Sequence, residues 1–257
     1  MEKNQSLKKD AVNNDIYETY GERWYTAFDD PVALLRAESK TKTPWIIDKI
    51  QNHYSLDKNT SVLDVGCGAG FLSNALSEAG LKVTGVDLSE ESLRVAAQYD
   101  KTKAVNYQKA DAYHLPFADQ SFDILTAMDF LEHVEDPAGV IQEFSRVLKP
   151  GGLFIFHTFN RNPLAHLVII KMVEWLVKNT PKHMHIIRLF IKPSELSNYC
   201  AKANMKVEKM VGIKPVFASI PIKSIFSGVV PKSLRFELTK SLMLSYMGYA
   251  VKSRTLN

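Results

Sequence analysis

Ser61-Val62-Leu63-Asp64-Val65-Gly66-Cys67-Gly68-Ala69-Gly70 decides how the rest of the 257-residue chain is read. Its first half is an apolar run closed by glycine, the pattern of a buried parallel strand, Ser61 to Val65, that turns at Gly66 and opens a helix near Ala69. Lys82 to Asp87 (Lys-Val-Thr-Gly-Val-Asp) again mixes β-branched residues with a terminal carboxylate, so the two strands and the helix between them form a right-handed βαβ unit. Glycines let the backbone approach a ligand closely, and the N–H groups at the helix start are expected to be free donors. Asp87, at the tip of the second strand, is placed to accept from both hydroxyls of a ribose. The dinucleotide fingerprint would need a glycine where this chain has Phe71, and Asp64 adds a carboxylate that repels phosphate and attracts a cation.

Val62 to Gly70 resembles motif I of the class I S-adenosylmethionine-dependent methyltransferases, and Asp87 matches the acidic residue that takes the ribose in them. The resemblance implies an α/β fold, a Rossmann-like, doubly wound seven-stranded sheet with an antiparallel last strand. It implies S-adenosyl-L-methionine as cofactor, held by Asp64, Gly66, Cys67, Gly68 and Gly70 in the loop, by Asp87 and Leu88 at the ribose, by Asp111 and Ala112 near the adenine, and by Met128. An ordinary turn-capping role for Asp111 is the competing expectation.

Composition sets the frame. Apolar residues at 46% and charged ones at 23% describe a soluble globular chain, long enough for one substantial core. Two cysteines, Cys67 and Cys200, supply no disulfide framework, and the first ten residues lack the apolar core of a signal peptide; a reducing cytoplasm is expected. Charge is uneven. Residues 1–159 carry 16 Lys and Arg against 24 Asp and Glu, a net of −8, whereas residues 160–257 carry 16 against 4, a net of +12. An acidic half suits a cationic cofactor. The basic half, its lysines interleaved with Phe, Ile, Val and Leu, suits the inner face of an anionic membrane, an acidic substrate, or a solvated face with no partner.

One domain spans 1–257, with an N-terminal cap over 13–50 and insertions at 160–192 and 214–235. The first dozen residues read as frayed. Within the cap, Tyr17, Tyr20, Trp24, Tyr25 and Phe28 precede helical pieces Pro31 to Ser39 and Pro44 to Ile50; Arg36 and Lys42 are candidates for a cofactor carboxylate or plain surface charges. Further strands are expected at Ala104 to Ala110, Phe122 to Met128, Gly152 to Phe159, Lys206 to Ile213 and Ser245 to Lys252. Helices are expected at Glu90 to Tyr99, capped by Ser89, at Pro137 to Leu148 and at Pro193 to Ala203. Asn162 to Asn179 is apolar but broken by Lys171 and Glu174, too short and charged to span a bilayer; it suits a lid, an interfacial helix or a core helix. Lys214 to Leu234, with three prolines among Phe217, Ile220, Ile222, Ile225, Phe226 and Val229, is a candidate wall for a hydrophobic substrate or a lipid contact.

Asp129-Phe130-Leu131-Glu132-His133 follows the fourth strand. If it starts a helical turn, the spacing brings Asp129, Glu132 and His133 to one side, where carboxylate and imidazole donors could hold a divalent cation or bond to backbone. Met128 to Pro137, Thr158-Phe159-Asn160-Arg161-Asn162, and Pro181-Lys182 through His185 to Leu196 resemble segments of the ubiquinone-biosynthesis O-methyltransferases, over about residues 60–200. Two stretches depart: Ile186-Ile187 stands where that family has Asp-Trp, and the N-terminal segment differs. The resemblance implies methyl transfer to a hydrophobic catechol such as a polyprenylated ubiquinone precursor, and a divalent ion such as Mg through the Glu-x-x-Glu-His pattern, whose first carboxylate is here the shorter Asp129. His133, Glu132 and Asp129 are then the catalytic candidates, with His157 and His185 as alternatives. Methylation of another small molecule, or a non-catalytic domain binding lipid or protein, are the rival expectations. Nucleic acid is not an expected partner, since no Asn-Pro-Pro-Tyr-like segment follows the fourth strand.

Overall fold

The computed structural model describes residues 12–254. Its centre is one eight-stranded sheet: β1 (Ser61–Val65), β2 (Lys82–Asp87), β3 (Asn106–Lys109), β4 (Phe122–Met128), β5 (Leu148–Phe159), β6 (Met205–Pro215), β7 (Phe236–Thr239) and β8 (Ser245–Lys252). The spatial order is β3-β2-β1-β4-β5-β8-β6-β7; β3 through β5 run parallel, and the β5/β8, β8/β6 and β6/β7 pairs are antiparallel. The doubly wound sheet with its antiparallel β8 is therefore as expected, widened by one strand. That extra strand, β7, falls just after the proline-rich bridge and buries no residue fully, so it carries no core pattern that a sequence reading could detect.

Alternation along the strands builds two cores. Leu63, Leu125, Phe154 and Phe156 face Val140, Ile141 and Phe144 of the helix Pro137–Val147. Their neighbours Val62, Ile124, Leu153 and Ile155 face the other way, onto Ile46, Ile50, Leu72 and Leu76. Chain order reverses between β1 and β4, and at such a point the loops leaving the carboxyl ends of the strands diverge and open a crevice.

The cap is more continuous than its prolines suggest. Val32–Gln51 is a single helix that runs through Pro44, because Ala33 and Ala37 before the proline, and Ile46 and Ile50 after it, are all buried. Packing on both sides offsets a lost hydrogen bond and ring clash that cost about 3 kcal/mol in an exposed helix. Pro163 to Leu176 is also helical, with a π-helical stretch at His166–Lys171 and Asn162 capping its start. No helix among the described residues is long and apolar enough to cross a membrane.

Candidate active site

At the crevice lies a cavity of about 590 Å³, walled by the β1 loop, the ends of β2 and β4, and the cap. The loop is shaped by glycine. Gly66, Gly68 and Gly70 have φ of 68°, 49° and 77°, in the left-handed region where any other residue is strained. A Cβ on Gly66 would come within 2.3 Å of the Phe130 ring. Phe130 and Trp24, which approaches Gly68, are themselves cavity walls, so the loop is pressed against its surroundings with only backbone to spare. Gly70 is not on the cavity; its missing Cβ makes room for Ala96 and the Tyr107 hydroxyl.

The loop offers fewer donors than its sequence promises. The N–H groups of Gly66 and Cys67 bond to Val86 O, that of Gly70 to Cys67 O, and that of Gly68 to Asp87 Oδ2 at 2.8 Å. Ser89 N donates to the other Asp87 oxygen at 2.9 Å. Burial raises the Asp87 pKa, and these backbone bonds oppose the rise. Each oxygen keeps a lone pair for a further donor. Leu88, beside it on the cavity wall, is 60% exposed, which a flat apolar ligand would explain. Asp111 fills both of its expected places: it lines the cavity and also accepts from Tyr113 N at 2.9 Å in a turn. Ala112 and Met128 complete that wall. Asp64 also borders the cavity, and each of its oxygens accepts from a hydroxyl, those of Ser73 and Thr126 at 2.6 Å. Burial pushes its pKa up to about 6.

The acidic trio expected on one helical turn is divided. Only Leu131–His133 forms a short 3-10 turn, and Asp129 precedes it with φ of 54°, so helical spacing does not extend back to it. Asp129 faces Lys42 and His157; Glu132 and His133 face His185. The oxygens and ring nitrogens of Glu132, His133 and His185 lie within 4.8 Å of one another. Glu132 is fully buried, accepts from Thr158 Oγ1 at 2.8 Å, and leaves Oε1 without a partner among the described residues. Burial first, and repulsion from Asp129 second, push its pKa up to about 8.

His133 is the member of this group that reaches the cavity. Asn14 holds it from both ends: its side-chain amide donates to His133 O at 3.1 Å, and its Oδ1 lies 3.2 Å from Nδ1. A proton on Nδ1 donates to that oxygen, which leaves Nε2 as the acceptor. The Tyr17 hydroxyl sits 3.4 Å from Nε2. Loss of surrounding water lowers the His133 pKa to about 4 and the His185 pKa to about 3, so both rings are neutral at pH 7. Asn14 carries no signal in the sequence, since it lies 119 residues from its partner.

Both cap cations have partners within the chain, and Lys42 also lines the cavity. Arg36 donates to the carbonyls of Trp24 and Ala27, and Lys42 is bound to Asp129. No residue of the apolar segments at 162–179 and 214–234 lines the cavity. They adjoin each other outside it, joined by Lys178 N to Gly228 O and by a cluster of Val177, Val230 and Leu234 on the cap helix.

Residues 63–156 match the family model described as a methyltransferase domain. The ubiquinone biosynthesis O-methyltransferase of Actinobacillus pleuropneumoniae serotype 7 is 35% identical over 216 residues, 79% of this chain and 88% of that protein. The protein of the same name from Thiobacillus denitrificans is 40% identical over 155 residues, 59% and 67% of the two chains. Among solved structures, magnesium protoporphyrin IX methyltransferase from Synechocystis PCC 6803 with bound SAH superposes with a TM-score of 0.58, at 17% identity and 84% coverage of each chain.

Proposed function

This chain belongs to the family of ubiquinone biosynthesis O-methyltransferases and is an S-adenosylmethionine-dependent methyltransferase; from that premise we propose that it methylates the hydroxyl of a hydrophobic catechol, a polyprenylated ubiquinone precursor. The residues present fit the cofactor. Asp87 has lone pairs left for two ribose hydroxyls, Leu88 and Ala112 offer apolar surface to the adenine, and the crowded glycine loop leaves room for a ligand only against bare backbone. When bound, the cofactor supplies a methyl group on a positively charged sulfur, open to in-line attack.

What the protein must add is a good oxygen nucleophile. A phenol has a pKa of about 10, as tyrosine does, and is mostly protonated at neutral pH. The observation that carries the reading is the phenolic oxygen of Tyr17 resting against His133 Nε2. An acceptor hydroxyl at that place meets a neutral imidazole with its lone pair exposed, and His133 takes its proton as the oxygen attacks. Neighbouring aromatic walls, Trp24, Phe71 and Phe130, suit a planar acceptor.

The divalent ion implied by the motif, Mg for instance, fits only part of the expected set, because both oxygens of Asp129 are committed to Lys42. Glu132, His133 and His185 would hold it instead, with Glu132 Oε1 as the unpartnered oxygen; it would then take the His133 lone pair and lower the pKa of the acceptor hydroxyl in place of proton transfer to His133. The test is transfer of labelled methyl from S-adenosylmethionine to a prenylated catechol, with a fatty acid as the competing acceptor, before and after chelation. The expected result is a methyl ether on the catechol at a rate that chelation leaves unchanged; a slower rate after chelation would put the ion in place of His133 as the activating group. Methyl ester on the fatty acid alone rejects the reading; an unchanged rate after chelation rejects the ion and leaves His133 as the base.

We further propose that the acceptor is collected at an anionic bilayer. Trp175, Ile222 and Phe226 are 68%, 77% and 85% exposed on the joined outer segments, with Lys171, Lys178, Lys223 and Lys232 nearby in the chain. Exposed apolar side chains with lysines close by in the sequence suit insertion beside acidic headgroups. Wild-type protein is expected to sediment with vesicles containing phosphatidylglycerol and not with neutral ones, and Trp175→Ala/Phe226→Ala to stay in the supernatant. Equal sedimentation of the variant would remove these segments from the account.

A further inference from the structure

Bordering the cavity through Lys42 and Asp129 is a second ionisable group: Glu38 and Lys42, one turn apart on the cap helix Val32–Gln51, with Asp129 after β4 and His157 on β5. Glu38, Lys42 and His157 are 7%, 4% and 0% exposed. The carboxylate oxygens of Glu38 and Asp129 and a ring nitrogen of His157 lie within 4.8 Å of one another. Two carboxylates and an imidazole are a donor set of the kind that holds a divalent metal.

That space is filled from within the chain. Lys42 Nζ stands 2.5 Å from Glu38 Oε2, 2.8 Å from each Asp129 oxygen and 3.1 Å from His157 Nδ1, which itself lies 2.7 Å from Asp129 Oδ1. The contacts spread over three side chains from three separate elements and converge on one nitrogen, as ligands converge on an ion. Asp129 stands at this point with φ of 54°, in the left-handed region. We propose that Lys42 is the resident cation of this chain, its ammonium occupying a metal-type donor set and holding Asp129 turned away from Glu132 and His133. The inference stands on the Lys42 contacts and not on the methyl acceptor, so it survives a wrong substrate.

A fixed ammonium has different consequences from a bound metal. It cannot be removed by chelation, and it closes the Asp129 end of the motif to divalent ions, so any ion taken by the wild type goes to Glu132, His133 and His185. Burial disfavours the ammonium, but Asp129 and Glu38 outweigh it and raise the Lys42 pKa. Lys42 is therefore a positioning residue, acting on the acceptor side of the cavity through the carboxylate that it fixes.

Removing the charge while keeping the side chain's length empties the donor set. Lys42→Met is expected to bind about one more equivalent of Mn²⁺ than the wild type, counted from the free-ion resonance in electron paramagnetic resonance titrations. Its thermal midpoint should rise with Mn²⁺ by more than that of the wild type. Lys42→Met/Glu38→Gln should lose the additional equivalent. If Lys42→Met is insoluble alone, expression with added Mn²⁺ is expected to yield folded, metal-loaded protein. Failure of the ion to rescue it, an unchanged count, or an additional ion indifferent to Glu38→Gln would each overturn the proposal.

Discussion

Asp87→Ala is expected to weaken S-adenosylmethionine binding by about 100-fold or more. The carboxylate is asked to accept two hydroxyl hydrogen bonds while anchoring the loop through Gly68 N and Ser89 N. A hydrogen bond to a charged group contributes about 1.5–3 kcal/mol, so losing two costs at least about 3 kcal/mol, or two decades in Kd. The lost loop anchors add to that, because the part-buried Gly68 N and Ser89 N then lose their acceptor. Asp87→Asn keeps one oxygen and the shape of the side chain, and should fall between variant and wild type. Titration calorimetry reads all three; affinities within threefold of one another would remove Asp87 from the binding site.

The second large effect is on turnover. His133→Ala should lower kcat by about 100-fold to 10,000-fold, the range of a positioned general base, with little change in cofactor affinity. The pH profile supplies a check that misfolding would not mimic. Burial lowers the His133 pKa to about 4, so the ring stays unprotonated and competent well below the ordinary histidine value of about 6.5. As pH falls, the wild-type rate should hold through that ordinary value and decline only as protonation of the ring approaches. The same shift has a cost in stability: below about 6.5 the unfolded chain takes up protons that the folded ring refuses, so stability falls with decreasing pH and levels off once the folded ring is also protonated. A rate already halved at pH 6.5 would mean that another group is the base.

The parts of the site legible in the sequence are those where one residue type is dictated by local geometry. Left-handed backbone at Gly66 and Gly68 and a carboxylate closing β2 are properties of a short stretch, so they show in its letters. What stayed hidden depends on distance along the chain. The pairing of Lys42 with Asp129 spans 87 residues, and the clasp of Asn14 on His133 spans 119, with neither pair marked by any spacing rule. Asp129, Glu132 and His133 look like one cluster only if the segment is helical, and the left-handed turn at Asp129 breaks that premise. His185 was legible as a motif residue, yet its place against His133, with ring centroids 5.2 Å apart, exists only once the segment after Asn179 folds back over β4 and β5. The outer segments are apolar for a reason that periodicity alone could not separate from a lid, because cavity wall and exposed surface call for the same residues.

A crystal structure with S-adenosylhomocysteine and a catechol tests the central claim most directly. The account places the ribose hydroxyls on Asp87 and a catechol oxygen on His133 Nε2, where the Tyr17 hydroxyl now rests. Density for the catechol outside the cavity, or for a ribose away from Asp87, would contradict it.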